Sequence, residues 1–350
     1  MSIKPKFKIN IERNSLKSIL LPVLAILSNL SPTMASELFE KEMLFQDVKK
    51  FTTHGLCANV TITTLPKDME SVVLNFKGDH RLEDFLNKLE ITNRNGTLAL
   101  EGNSSHNNSN IVIGNNAFIG NVSGNSRVIV NGVDITKLKP GKALAIPDLN
   151  VVLSQKTFLD LSAAGGLWNI GETSSSFQAS LSGGCIMNAS TISADVDIDI
   201  SGSGKFTAKK ICGDQVDASI TGSGSLTLDS IDLKSASLKV TGSGDMKIKD
   251  GNISKKVTGA VTGSGKIKSM ATVQDAKLKV TGSGTIAISK VTGELKRNVS
   301  GSGRIKVSNR PEEKSKKKQN NNNNSFICVV GGHTNGMNFV YGNNNVIIRK

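Results

Sequence analysis

Asp195, Asp197 and Asp199 alternate along one short stretch of the chain and could support acid–base chemistry. In a β-strand, this alternation would place all three carboxylates on the same face. Paired carboxylates can cleave a glycosidic bond, and carboxylate oxygens can ligate Ca²⁺. The loop glycine and the terminal glutamate of an EF-hand are missing, however. A solvated strand face is therefore the favoured interpretation. The alternative is a polysaccharide-cleaving β-helix enzyme that uses this carboxylate patch.

Histidine and cysteine, which often carry catalysis or bind metals, are sparse. The four histidines lie outside the repeated region described below, which excludes a His-containing triad there: His54, His80, His106 and His333. The four cysteines show no metal-ligand spacing, and in an exported protein they could pair as disulfides in three ways: Cys57, Cys185, Cys212 and Cys328. The sequence thus predicts a non-enzymatic protein with no catalytic residue, no metal site and no cofactor.

A group of basic residues could bind an anionic partner. Lys247, Lys268 and Lys306 each follow a repeated Ser or Thr by six residues, and residues 241–306 contain thirteen Lys and Arg against four acids. One interpretation is a solubilising strand face, and the other is a docking face for anionic glycan, lipid headgroups or nucleic acid. Nucleic acid is disfavoured because aromatic residues, which would stack on bases, make up 4% of the chain. The predicted anionic-ligand face consists of Lys247, Lys249, Lys266, Lys268, Arg304 and Lys306.

These residues lie within an internal repeat. The tetrapeptide Ser/Thr-Gly-Ser-Gly starts at residues 201, 221, 241, 262, 281 and 300, and a worn copy starts at 182. Apolar residues alternate on both sides of the glycines, which indicates strands with one buried face, and no copy keeps helical spacing. A period near twenty residues is typical of a stacked fold. The sequence therefore predicts an all-β parallel β-helix, a β-solenoid whose coils lie ~4.8 Å apart.

The repeated glycines are expected to be structural. They would either face inward where the coil bends, leaving no room for a Cβ atom, or adopt positive φ there. A phosphate-binding loop or a nucleophile turn is disfavoured, because no Lys-Ser/Thr follows and no helix succeeds the glycines. The structural glycines are Gly202, Gly204, Gly222, Gly224, Gly242, Gly244, Gly263, Gly265, Gly282, Gly284, Gly301 and Gly303.

The chain divides into six predicted segments. Residues 1–35 have a basic start, a short apolar core and a small residue at Ala35, as in a cleaved secretory signal peptide. Residues 36–102 form a small β-rich unit with one short helix, Arg81–Leu89, and an Asn95-Gly96 hairpin turn. An Asn/Ser/Gly-rich insertion (103–135), the β-helix (136–307), a basic and Asn-rich linker (308–325) and a hairpin-like tail (326–350) follow. A second copy could associate through this tail or through the ends of the stack.

The chain resembles a known family in three places: the segment Val60–Leu100, the Ile-Pro-Asp-Leu sequence at Ile146–Leu149, and the Thr-Gly-Ser-Gly series. The family is named "putative auto-transporter adhesin, head GIN domain", and the resemblance extends over roughly residues 45–307. It implies a right-handed β-helix in an exported bacterial protein of the periplasm, the cell surface or the medium. The resulting hypothesis is surface attachment or envelope scaffolding. The Asn-rich insertion and the tail depart from the family pattern.

Overall fold

The computed structural model describes residues 39–66, 69–78, 82–102 and 146–309, together with short strand segments at 105–106, 112–114, 117–119, 128–130, 133–134, 338–342 and 345–349. The predicted signal peptide lies outside these residues, as do most of the Asn-rich insertion and most of the basic linker. The fold is 75% strand with almost no helix, and it forms a β-solenoid of about eight turns. The predicted parallel β-helix is therefore confirmed.

The described part of the chain contains one helix, α1 (Leu82–Lys88). Its strands are β1 (Phe39–Phe45), β2 (Lys50–Cys57), β3 (Asn59–Leu65), β4 (Val72–Gly78), β5 (Glu90–Arg94), β6 (Thr97–Glu101), β7 (Ser105–His106), β8 (Val112–Gly114), β9 (Ala117–Ile119), β10 (Val128–Val130), β11 (Val133–Asp134), β12 (Asp148–Ser154), β13 (Phe158–Gly165), β14 (Leu167–Ile170), β15 (Phe177–Leu181), β16 (Ile186–Ile192), β17 (Val196–Gly202), β18 (Lys205–Gly222), β19 (Ser225–Gly242), β20 (Asp245–Ile248), β21 (Gly251–Gly263), β22 (Lys266–Gly282), β23 (Thr285–Val291), β24 (Leu295–Ser300), β25 (Arg304–Asn309), β26 (Asn338–Gly342) and β27 (Asn345–Arg349).

Eight coils follow one another from residue 158 to residue 309. Their parallel strands pair in register, so that equivalent residues of successive coils lie side by side: Leu159, Phe177, Val196, Val216, Ala236, Val257, Ala276 and Leu295. Inward and outward residues alternate along each strand, as the period of two requires. The inward residues of all coils form one continuous apolar core. Each coil therefore buries its apolar face against its two neighbours.

The layers before these coils are not added in chain order. β2 and β3 pair on one side with β13 and β14, and on the other side with β6 and β12. The strands of the predicted 36–102 unit thus belong to the stack itself. β3 and β4 follow each other in the chain but do not pair with each other. β12 lies between them, parallel to β3 and antiparallel to β4. Period-two alternation predicts which face of a strand is buried, but it does not identify the neighbouring strand.

The N-terminal end of the stack is closed by antiparallel strands and by the helix. β5 pairs with β6, and β4 and β1 extend the sheet beyond β12. The α1 residues Leu82 and Phe85 are buried, and the Phe85 ring lies 6.2 Å from that of Phe76. The hairpin turn between β5 and β6 has Asn95 and Gly96 at φ values of +52° and +74°, as a type I′ turn requires. Apolar side chains of the helix therefore cover one end of the core.

The C-terminal end of the stack differs, because the inward row changes character in the last coil. Ile198, Ala218, Leu238 and Leu278 occupy one inward position and are at most 4% exposed. Arg297 occupies that position in the eighth coil, paired with Leu278. Its neighbour Val299 is 44% exposed. A charged side chain at an inward position of an edge strand opposes pairing with a further strand.

Residues 312–350 form a separate compact unit. In it, β26 and β27 pair as an antiparallel hairpin with Phe339 opposite Ile348.

Candidate functional site

The Gly-Ser-Gly corner precedes the strands that carry the predicted basic face, and its two glycines have different roles. At Gly263 the backbone has a φ of +107°, and a Cβ atom would lie 2.6 Å from the carbonyl oxygen of Gly242. At Gly265 a Cβ atom would lie 2.5 Å from Cγ1 of Val240. The first glycine permits a left-handed conformation, and the second leaves room for a core side chain. Ser264, between them, is exposed.

The same corner recurs along the stack and uses its backbone donors internally. The first glycines of the complete tetrapeptides have φ values from +90° to +116°: Gly202, Gly222, Gly242, Gly263, Gly282 and Gly301. The Ser264 N–H donates to Gly242 O at 2.9 Å, and the Lys266 N–H donates to Gly244 O at 2.9 Å. On the outside, the hydroxyls of Ser283 and Ser302 lie 3.2 Å apart. These amides donate to carbonyl oxygens of the preceding coil. They therefore hold adjacent coils together and are not available to bind a phosphate.

Five of the six predicted basic residues form a surface that we call the basic ladder: Lys247, Lys266, Lys268, Arg304 and Lys306. In one outward row, Lys247 pairs with Lys268, and Lys306 follows beyond Ala287. In the adjacent outward row, Lys266 and Arg304 are separated by Thr285. All five side chains are exposed. Among the residues that the structure describes, none of the five forms an ion pair.

Lys249, the sixth predicted residue, has a carboxylate partner. It lies just beyond the end of β20 at Ile248, and its Nζ is 2.7 Å from Oδ1 of Asp229 on the preceding coil. Because Asp229 compensates its charge, Lys249 has less positive charge to offer an external anion than the ladder residues have. Lys249 and Asp229 are twenty residues apart, which is one coil, so the spacing already contained this signal.

The three aspartates of the predicted carboxylate patch do not act as one group. Oδ1 of Asp195 accepts hydrogen bonds from the backbone N–H groups of Asp214, at 3.0 Å, and Gln215, at 2.9 Å, so it stabilises the next coil. Asp199 accepts a hydrogen bond from the Ser219 hydroxyl. Partial burial raises the pKa of Asp197, and the neighbouring carboxylates of Asp199 and Asp217 raise it further.

Lysines on a second outward face were not predicted as a group. Lys277 and Lys279 alternate on β22, and Lys296 on β24 pairs with Lys277. A signal for them exists in the sequence, because Lys277 and Lys296 both stand four residues before the repeated Thr or Ser. Sequence reasoning followed the residues after the glycines and overlooked those before them.

Two of the three described cysteines are buried and are not placed for nucleophilic chemistry. Cys57 and Cys185 are buried. Burial raises the pKa of the Cys57 thiol to about 12, and it also raises the pKa of Cys185. At neutral pH both thiols are therefore protonated and shielded from solvent. Within the described residues, no group of three or more His, Cys, Asp and Glu could hold a metal ion.

Comparison with protein families assigns the chain to one of them. A family profile described as "Putative auto-transporter adhesin, head GIN domain" matches residues 71–230 and 198–311. Together the two matches span more than half of the sequence. The chain belongs to the head GIN domain family. The matches overlap at residues 198–230, within the repeated coils of this head GIN domain protein.

A solved structure shares the fold of this head GIN domain protein, and others resemble it with lower scores. A "putative lipid binding protein" from Parabacteroides distasonis has a TM-score of 0.52 at 17% identity, over 77% of this chain and 96% of that one. A "putative adhesin" from Parabacteroides merdae has a TM-score of 0.45 at 14% identity, over 77% and 95%. Another, from Bacteroides fragilis, has a TM-score of 0.42 at 15% identity, over 78% and 98%. A comparison with curated proteins gives no significant match.

No helix in the described part of the head GIN domain protein is long and apolar enough to cross a membrane.

Proposed function

We propose that this head GIN domain protein is an exported, non-enzymatic module of the bacterial cell envelope. It attaches to an anionic surface, either a negatively charged glycan or lipid headgroups, through the basic ladder. The observation that carries the proposal is the direct pairing of Lys247 with Lys268 on adjacent coils, with no carboxylate partner for either among the described residues.

Stacked lysines of this kind favour an external anion. Adjacent coils lie ~4.8 Å apart, and like charges directly opposite one another in a sheet destabilise it. An anion bound along the row removes that repulsion. The rigid stack fixes the spacing of the charges, so little ordering entropy is lost when an extended polyanion binds along them.

The composition of the last four coils supports the same conclusion. Residues 236–309 contain fourteen Lys and Arg against four acids, whereas residues 158–235 contain four Lys against nine acids. Positive potential is therefore concentrated at one half of the stack, and such a field attracts anionic polymers. The family description supports attachment as the role. One solved relative is named for lipid binding, so lipid headgroups belong in the test.

The test is a triple variant, Lys247→Gln with Lys268→Gln and Lys306→Gln. Its matched control is Lys205→Gln with Lys209→Gln and Lys210→Gln, which removes three exposed lysines from the third coil. The probes are a sulfated glycan and vesicles that contain an anionic phospholipid, each titrated at several salt concentrations. Binding by the parent should weaken steeply with salt, because salt screens exposed charges.

The ladder variant should bind more weakly and with less salt dependence, whereas the control variant should resemble the parent. If the ladder variant loses binding to the glycan alone or to the vesicles alone, that result identifies the source of the anion. If the ladder variant binds both probes as well as the parent does, the ladder is a solvated face and the proposal is wrong.

A further inference from the structure

The outward face before the glycine corner carries opposite charges in its two halves. Two rows of outward residues run along it from the second coil to the eighth. The first row is Gln178, Asp197, Asp217, Ser237, Thr258, Lys277 and Lys296. The second row is Ser180, Asp199, Ser219, Lys239, Ala260, Lys279 and Asn298. We call this surface the acid–base face, and it contains no residue of the basic ladder.

The two charged pairs on this face are equally far from its middle. Asp197 and Asp199 lie two coils before Ser237, and Lys277 and Lys279 lie two coils after it. All four side chains are exposed. Among the described residues, Asp197, Lys277 and Lys279 have no hydrogen-bond or ion-pair partner within their own copy.

This arrangement is self-complementary under a two-fold rotation. An axis that lies in the plane between the two faces, along the strand direction through Ser237 and Lys239, keeps each row and reverses the order of the coils. It places Asp197 opposite Lys277 of a second copy, and Asp199 opposite Lys279 of that copy. The same rotation places Gln178 opposite Lys296. A C2 interface requires this kind of reciprocity, in which each contact occurs twice.

The residues near the axis would allow two copies to approach closely. Ser219, Ser237, Thr258 and Ala260 are small, so no long apolar side chain separates the two sheets. On the axis, Lys239 faces Lys239 of the second copy, and Asp217 of each copy lies one coil away in the adjacent row. Within one copy, partial burial raises the pKa of Asp197 and the carboxylates of Asp199 and Asp217 raise it further, so a cation beside Asp197 would relieve an existing repulsion.

We propose that the acid–base face pairs two copies of this chain, antiparallel and side by side, into a dimer. Outward positions along a strand are ~6.6 Å apart and coils are ~4.8 Å apart, so two rows over seven coils cover roughly 13 by 30 Å. That area is below the range of stable specific interfaces and suits a weak, transient dimer. Exposed charge pairs dominate it, so it dissociates as salt increases. The ladder is left free for an anionic surface.

The experiment uses charge reversal followed by mixing. Sedimentation velocity over a range of concentrations at low salt should show reversible dimer formation by the purified protein. The variant Asp197→Lys with Asp199→Lys would oppose lysine to lysine at both contacts. The variant Lys277→Asp with Lys279→Asp would oppose aspartate to aspartate. Each variant alone should dimerise roughly tenfold or more weakly.

A mixture of the two variants provides the decisive observation. In a mixed pair, both contacts again join lysine to aspartate, so the mixture should form a heterodimer that neither variant forms by itself. Circular dichroism checks that both variants are folded, and the ladder variant should dimerise like the parent. A parent that stays monomeric at low salt, or a mixture that stays monomeric, overturns the proposal. It is also overturned if the variants lose glycan or vesicle binding but dimerise as strongly as the parent does.

Discussion

The first three coils and the last five coils share one backbone geometry but have different cores. Residues 158–215 include Trp168, Phe177 and Phe206, which are fully buried, and the rings of the two phenylalanines lie 6.0 Å apart. Residues 216–309 contain no aromatic residue at all. Strand pairing continues in register across this change. The backbone hydrogen bonds between strands, rather than the size of the core residues, therefore set the spacing of the coils.

The two ends of the stack differ in a corresponding way. At the N-terminal end, Leu82 and Phe85 of α1 cover the core. At the C-terminal end, Arg297 takes an inward position and Val299 is partly exposed. An apolar cap stabilises the fold because it buries apolar surface, whereas an inward charge mainly prevents a further strand from pairing. The comparison predicts that mutations at the first end affect stability and that mutations at the second end affect association.

The largest effect is expected at the N-terminal cap. Phe85→Ala should lower the free energy of unfolding by about 3 kcal/mol, because it leaves a cavity beneath the helix. Val299→Ala, at the open end, should lower it by less than about 1 kcal/mol, because Val299 is already 44% exposed. Urea midpoints measure both changes. Equal losses would mean that the C-terminal end is covered as well.

A smaller effect is expected at the corners. Gly263→Val should lower the free energy of unfolding by more than ~1 kcal/mol, through the positive φ and the contact with Gly242. Gly301→Val meets the same contact with Gly282, but the last coil has only one neighbour and can shift, so we expect a smaller loss. Ser264→Ala is the control and should change stability by less than ~0.5 kcal/mol. A larger loss of stability for Ser264→Ala than for Gly263→Val would contradict the outward orientation of Ser264.

Arg297→Leu should change association more than stability. The substitution continues the apolar row of Leu278 to the edge of the last coil, so copies should associate end to end as concentration rises. Lys296→Leu alters an outward position of the same strand and serves as the control. Sedimentation at high salt, where the side-by-side dimer should be dissociated, measures the effect. If Arg297→Leu stays as monomeric as the control, Arg297 does not protect this end.

The smallest effect is expected within the acidic half. Because the pKa of Asp197 is raised in the folded protein, folding disfavours its ionised form. This destabilisation is absent at low pH, where Asp197 is protonated in both states, and it appears as the pH rises through its folded pKa. Asp197→Asn should therefore raise the free energy of unfolding of the monomer slightly at pH 7, by less than ~0.5 kcal/mol, and with it the urea midpoint. It should leave the midpoint unchanged well below the carboxyl range. A gain of equal size at both pH values would exclude titration as its cause.

The repeat and the local turns were predictable because their signals are local. The Thr-Gly-Ser-Gly period indicated the coils, and Asn95-Gly96 indicated the hairpin. The pairing of β2 and β3 with strands a hundred residues later was not predictable, because alternation carries no information about the neighbouring strand. The ladder followed from spacing, but the ion pair between Lys249 and Asp229 and the inward position of Arg297 became clear only from the register of the coils.

The position of β2 and β3 between layers that come later in the chain has a consequence for folding. These strands remain unpaired on both sides until β6, β12, β13 and β14 are available, so the first stable nucleus must enclose loops of about a hundred residues. Each later coil closes over only some twenty residues, and such additions are fast once a template exists. We expect hydrogen-exchange protection to appear first in β2, β3, β6, β12, β13 and β14 and then to advance coil by coil. A chain that emerges N-terminus first would therefore pass through one slow step near its beginning and elongate readily after it.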